Sequence, residues 1–183
     1  MTNRPLPPYT HIPGVTPHPL RDPAGHSYPG DAAPEAGVSP PPQAPLTWAD
    51  LPAHPEFQWA VQLFNAGYYW ESHEAWESLW HAAGRTGALA DFLKGLIKLA
   101  AAGVKLREHN LVGMERHARR ALELYRQIEQ CALPVAAGPV LQSLPELIQI
   151  AEQWLHSPLE LPTDRTGQPV KTPHELPWPN SPG

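Results

Sequence analysis

Hydrophobic positions recur at helical spacing only in the middle of this chain. Phe57, Val61 and Phe64 share one face with Ala60 beside them, and Asn65-Ala66-Gly67 closes that segment. Its start falls near Pro55, which suits the first turn of a helix because no intrahelical donor is lost there. From about Tyr68 to Ala83, a stripe of Tyr68, Ser72, Ala75, Leu79 and Ala82 runs beside Trp76, extended by Tyr69 and Trp80. Trp70, Glu71, Glu74, Ser78 and His81 fall on the opposite arc, which predicts a polar face. Gly84-Arg85-Thr86-Gly87 makes the next turn.

A third helix is expected over about Ala88 to Arg107. It is apolar over most of its circumference through Phe92, Leu93, Leu96, Ile97, Leu99, Ala100, Val104 and Leu106. Asp91, Lys94, Lys98 and Lys105 form its narrow polar stripe, so it belongs at the centre. Gly95 and Gly103 each cost about 1 kcal/mol relative to Ala, and they are expected where a neighbouring helix comes close. A fourth helix, about Leu111 to Gln130, points Met114, Ala118, Ala121, Leu124, Tyr125 and Ile128 inward. After a Pro/Gly-containing loop over 134–139, a fifth helix from about Leu144 to His156 buries Leu147, Ile148, Ala151, Trp154 and Leu155. No strand pattern stands out. The expectation is an all-α fold, an antiparallel bundle of about five helices joined by short turns.

Composition changes the picture at the two ends. Of 25 prolines, thirteen lie in residues 1–50, two in 51–130 and ten in 131–183. Proline breaks helix interiors, so the helical domain is confined to 51–157, between a Pro-rich arm over 1–50 and a tail over 158–183. The arm reads as disordered or extended, with Pro40-Pro41-Pro42 favouring polyproline II. The alternative is an arm that wraps the domain or a neighbouring subunit.

Charge excludes some functions. Residues 51–130 carry nine Lys/Arg and nine Asp/Glu, within a chain of net charge −5. That balance argues against a dedicated nucleic-acid binder and against docking on an anionic membrane. Cys131 is the sole cysteine, so neither an intramolecular disulfide nor a Cys-rich zinc site can form. The first residues lack an apolar signal core, and charges interrupt the apolar run over 89–106. A cytoplasmic location is the expectation.

Candidate chemistry concentrates between Glu71 and His81, where three carboxylates and two imidazoles fall within eleven residues without a Lys or Arg. His73 and Glu77 are four apart and therefore share a helix face, so they can offer two metal ligands. Glu71, Glu74, His81 and His117 are the candidate further ligands, and His117 matters if it meets His73 and Glu77 in space. A catalytic variant, a metal-dependent hydrolase, would use a carboxylate as base on metal-bound water. The competing reading is structural: acidic side chains of the second helix pairing with the lysine stripe of the third. No residue is assigned a catalytic role, and a divalent metal is the candidate cofactor. Five of seven tryptophans lie between Trp48 and Trp80. Trp76 and Trp80 read as core, whereas Trp59 and Trp70 fall on or near polar arcs. Exposed aromatic area of that kind marks an interface, or the place where a Pro-rich arm packs.

The run from Phe64-Asn65-Ala66-Gly67-Tyr68-Tyr69-Trp70-Glu71 through Ser72-His73-Glu74-Ala75-Trp76-Glu77-Ser78-Leu79-Trp80 resembles the signature of the small helical family DUF309. Phe92-Leu93-Lys94-Gly95-Leu96-Ile97-Lys98 and Asn110-Leu111-Val112-Gly113-Met114, leading to Ala121-Leu122, fit in the same order. The resemblance covers roughly 57–130. It implies a compact all-α domain and makes Glu71, His73, Glu74, Trp76, Glu77, Trp80, Lys94, Lys98 and Asn110 family-motif positions, without implying an activity. Gly-Tyr-Tyr and the Ala-Leu run are also weakly similar to tetratricopeptide-type hairpins, which favours a binding groove. The expected function is therefore a non-catalytic binding module whose partner is a protein or a second copy of the chain, with Trp59, Trp70 and the arms as contact surface. A metal or small-ligand site at His73 and Glu77 is the alternative.

Overall fold

Apolar faces and short connections together decide how the helices stack. The computed structural model describes residues 4–30, 45–156, 163 and 166–178. Among the described residues six helices form the body: α1 (Pro55–Asn65), α2 (Tyr69–Ala82), α3 (Ala88–Arg107), α4 (Leu111–Glu129), α5 (Gly138–Leu141) and α6 (Leu144–His156). No described residue is in a strand, and the fold is all-α. The extra helix, α5, is four residues long and begins inside the loop expected over 134–139. One helical turn is too short to leave a periodic signal.

Helix starts follow local chemistry. His54 Nδ1 accepts from the Glu56 N–H at 3.2 Å and Pro55 follows it, which opens α1. Asn110 Oδ1 accepts from the Gly113 N–H at 2.8 Å, which opens α4. Capping satisfies donors that have no intrahelical partner.

The five longer helices pack in order, α1 on α2, α2 on α3, α3 on α4 and α4 on α6. Phe92, Leu93, Leu96, Leu99 and Ala100 of α3 have no exposed surface, as its wide apolar arc requires. Gly95 and Gly103 admit aromatic rings rather than a helix backbone. A Cβ at Gly95 would overlap the Tyr125 ring, and one at Gly103 the Tyr69 ring. In α6 the buried set is Leu144, Leu147, Ile150, Ala151 and Trp154, while Ile148 and Leu155 are half-buried. Spacings of three and four place 147, 150, 151 and 154 on one stripe, and Ile148 and Leu155 on its flanks.

Both Pro-rich arms, where described, lie over the helices. Thr10, His11 and Ile12 are buried, as is Leu176 from the other end. The Thr10 N–H donates to the Gly167 carbonyl at 2.8 Å, so the two arms touch. Residues 4–30 thus wrap the domain instead of standing off it. Pro40-Pro41-Pro42 lies outside the described residues.

Candidate functional site

The turn from α1 into α2 is a strip that receives both arms. Asn65 Oδ1 accepts from the Leu176 N–H at 2.8 Å, and its Nδ2 donates to the Leu176 carbonyl at 3.4 Å. Gly67 has φ of 88°, and the Val170 backbone occupies the space a Cβ would need. Tyr68 donates its hydroxyl to the Pro7 carbonyl at 2.9 Å, and Tyr69 Oη accepts from the Thr172 N–H at 2.9 Å. The His11 and His18 rings stand edge-on to Trp70, with centroids at 5.1 and 5.3 Å.

Glu71 is the polar centre of this strip. It accepts from Thr10 Oγ1 and from the His11 N–H, both at 2.8 Å, and faces His26 Nε2 at 3.2 Å. Its helical phase predicts exposure, yet it is 7% exposed, because the N-terminal arm covers it. A buried carboxylate is tolerated when donors saturate it. Burial lowers the His11 pKa, the His18 charge adds to that, and Glu71 opposes it.

Between the arm and the α1–α2 face lies a cleft of about 580 Å3. Trp59, Leu63, Trp70 and Ala75 form one wall, and Leu6 and the arm prolines another. Arg4 crosses it, with its guanidinium 2.7 Å from Glu56 and 6.0 Å from the Trp59 ring centroid. Trp59 is 8% exposed and Trp70 half-buried. The open aromatic surface expected there is therefore where the arm packs.

His73, Glu74 and Glu77 sit half-buried on α2, with one ligand atom of each within 4.8 Å of the others. His73 Nδ1 is 3.4 Å from Glu74 Oε1. The third member beside His73 and Glu77 is Glu74, not His117. His117 reaches in from α4, where its pKa is lowered by burial first, then by Lys98, Arg116 and Lys105, and least by His73. Glu71 is turned to the arm and His81 is exposed, so neither joins the three.

The remaining motif residues divide by environment. Trp76 is fully buried with its ring 5.9 Å from Phe64, and Trp80 is half-buried against the core. Asn110 caps a helix. The ion pairs expected between α2 carboxylates and the α3 lysines do not form for Lys94 and Lys98. Among the described residues neither has a carboxylate within 4.0 Å, while Lys105 pairs with Glu108 at 2.6 Å. Burial lowers the Lys98 pKa, Lys94 and Arg120 lower it further, and Glu77 acts the other way from longer range.

Comparison with known families bears on this same region. Residues 57–117 match the family model of DUF309, a domain of unknown function. The DUF309 segment is about one third of the chain. It spans α1, α2, α3 and the start of α4, ending at His117. It includes the arm-receiving strip, the His73–Glu74–Glu77 group and Lys98, and it excludes both arms and Ala121-Leu122. No curated protein matches the chain. Among the described residues, no helix is long and apolar enough to cross a membrane.

The participation of the arms was absent from the periodic pattern. The signal for it was the pair of tryptophans, Trp59 and Trp70, on or near polar arcs.

Proposed function

We propose that this chain is a non-catalytic binding module whose ligand enters the cleft between the N-terminal arm and α2. The observation that carries the reading is the 580 Å3 cleft walled by Trp59 and Trp70. Small-molecule sites occupy roughly 300–1,000 Å3 and are mostly apolar with a few orienting polar groups. Of the three carboxylates lining the cleft, Glu56 pairs with Arg4 and Glu71 is saturated by the arm. Glu74, with 39% of its side chain exposed, has His73 Nδ1 3.4 Å away and is open to a ligand. Indole faces and one open carboxylate suit a compact apolar molecule with a single positive charge.

Titration with 2-phenylethylamine, followed by tryptophan fluorescence and calorimetry, tests this. Saturable binding is expected, weakened about tenfold by Glu74→Gln, which is about 1.4 kcal/mol, and abolished by Trp70→Ala. Equal affinity for the neutral 2-phenylethanol would overturn it. A protein partner, or a second copy of the chain, would use the same cleft through a basic side chain. Sedimentation of the wild type against Trp70→Ala reads that out.

A second reading rests on the convergence of His73, Glu74 and Glu77. One imidazole and two carboxylates suit Zn2+ or Mn2+ and leave a coordination position open. In the hydrolase form of this reading, a carboxylate would act as base on water held there. Metal analysis of untagged protein, with His73→Ala as control, tests it. Glu74 is common to both sites, so a bound cation is expected to weaken 2-phenylethylamine binding.

A further inference from the structure

A second cavity, of about 360 Å3, opens between α3 and α4. Lys98 lines it from α3, and Arg116, His117, Arg119, Arg120 and Glu123 line it from α4. Positions 116, 119, 120 and 123 follow the three-and-four spacing of one helix face, so their side chains converge. Glu123 is engaged by Arg120 at 2.9 Å. Among the described residues Lys98, Arg116 and Arg119 have no carboxylate within 4.0 Å. Three cations without an ion-pair partner among the described residues therefore line one concavity in a chain whose net charge is −5. Like charges held together raise the free energy of the folded state unless a counter-charge enters.

We propose that this pocket binds a small phosphate compound carrying two or more negative charges, a diphosphate group being the simplest. Arginine forks match phosphate oxygens in pairs, and lysine adds a point charge. A monocarboxylate would neutralise one of the three cations and leave two. A nucleic-acid strand fits less well, because residues 51–130 are charge-balanced and offer no extended basic track. Burial first, then the positive charges of Lys98 and Arg116, hold His117 below its ordinary pKa. The pocket shares no lining residue with the arm cleft or with the His73–Glu74–Glu77 group. Failure of one reading is therefore separable from failure of the other.

Calorimetric titration of the full chain with inorganic pyrophosphate at constant ionic strength is the test. One saturable site is expected, with affinity at least tenfold tighter than for acetate. Arg116 and Arg119 are exposed, so Arg116→Ala combined with Arg119→Ala is expected to keep the fold and weaken binding at least tenfold. Glu123→Gln frees Arg120 and is expected to tighten binding several-fold. Absence of saturable heat at millimolar pyrophosphate overturns the proposal, as does a double variant that binds like the wild type. A single-stranded RNA oligomer that binds more tightly than pyrophosphate and responds to the same variants also overturns it.

Discussion

Thr10 Oγ1 donates to Glu71 Oε2 at 2.8 Å across sixty-one positions of the chain. With the His11 N–H and His26 Nε2 on the same carboxylate, this bond makes residues 4–30 part of the folded domain. Glu71→Gln keeps the size of the side chain and removes its charge. It is expected to destabilise the protein by about 1–3 kcal/mol, measured by urea denaturation. Limited proteolysis of the variant should cut within residues 4–30 before the helices. An unchanged midpoint and cleavage pattern would show that the arm docks without this clamp.

The C-terminal arm is held by the neighbouring residues. Gly67→Ala must place a Cβ at φ of 88° against the Val170 backbone. A loss of more than about 1 kcal/mol is expected, because strain and overlap add. Tyr69→Phe removes the acceptor for the Thr172 N–H and is expected to cost about 1 kcal/mol. Hydrogen exchange at the Thr172 amide should accelerate in both variants.

Asn110 is a motif residue with a structural task. Asn110→Ala is expected to cost about 1 kcal/mol through loss of the α4 cap, and Asn110→Asp to recover most of it. Thermal unfolding checks the stability. Affinity for 2-phenylethylamine should be the same in both variants, and a loss there would return Asn110 to the binding site.

Stability should fall on mild acidification. Burial holds His11, His117 and His174 below the ordinary histidine value. Trp154 Nε1–H donates to His174 Nδ1 at 3.2 Å, which requires the lone pair of a neutral ring. A histidine with a lowered folded pKa takes up its proton more readily when unfolded. Its contribution is thus fully present above about pH 6.5 and is lost as pH falls from there through the folded value. Urea midpoints between pH 8 and pH 5 should decline below about 6.5, with a shallower slope in His174→Gln. A flat profile would rule out the assignment.

The helices were legible because their signals are local. The α3 limits coincide with those expected from its apolar arc, and the six inward residues assigned to α4 are all buried. The family resemblance was legible for a similar reason: its motifs are short contiguous runs, from the end of α1 through α2, in α3 and at the start of α4. The candidate site was legible in part. His73 and Glu77 share a face by spacing, and Glu74 joined them through side-chain direction that spacing alone does not give. His117 failed to join because the rotation of α4 is set by packing on α3.

What the sequence by itself determined is where helices start, stop and turn their apolar sides, since caps, prolines and three-and-four spacings act over a few residues. What tertiary structure alone decided is which positions on the expected polar arcs become interior. Glu71, Trp59 and Trp70 are covered by an irregular segment remote in sequence, and a segment without a period leaves no trace in the helix it covers. The same holds for the basic pocket, where Lys98 and three arginines from another helix meet only because α3 and α4 pack side by side.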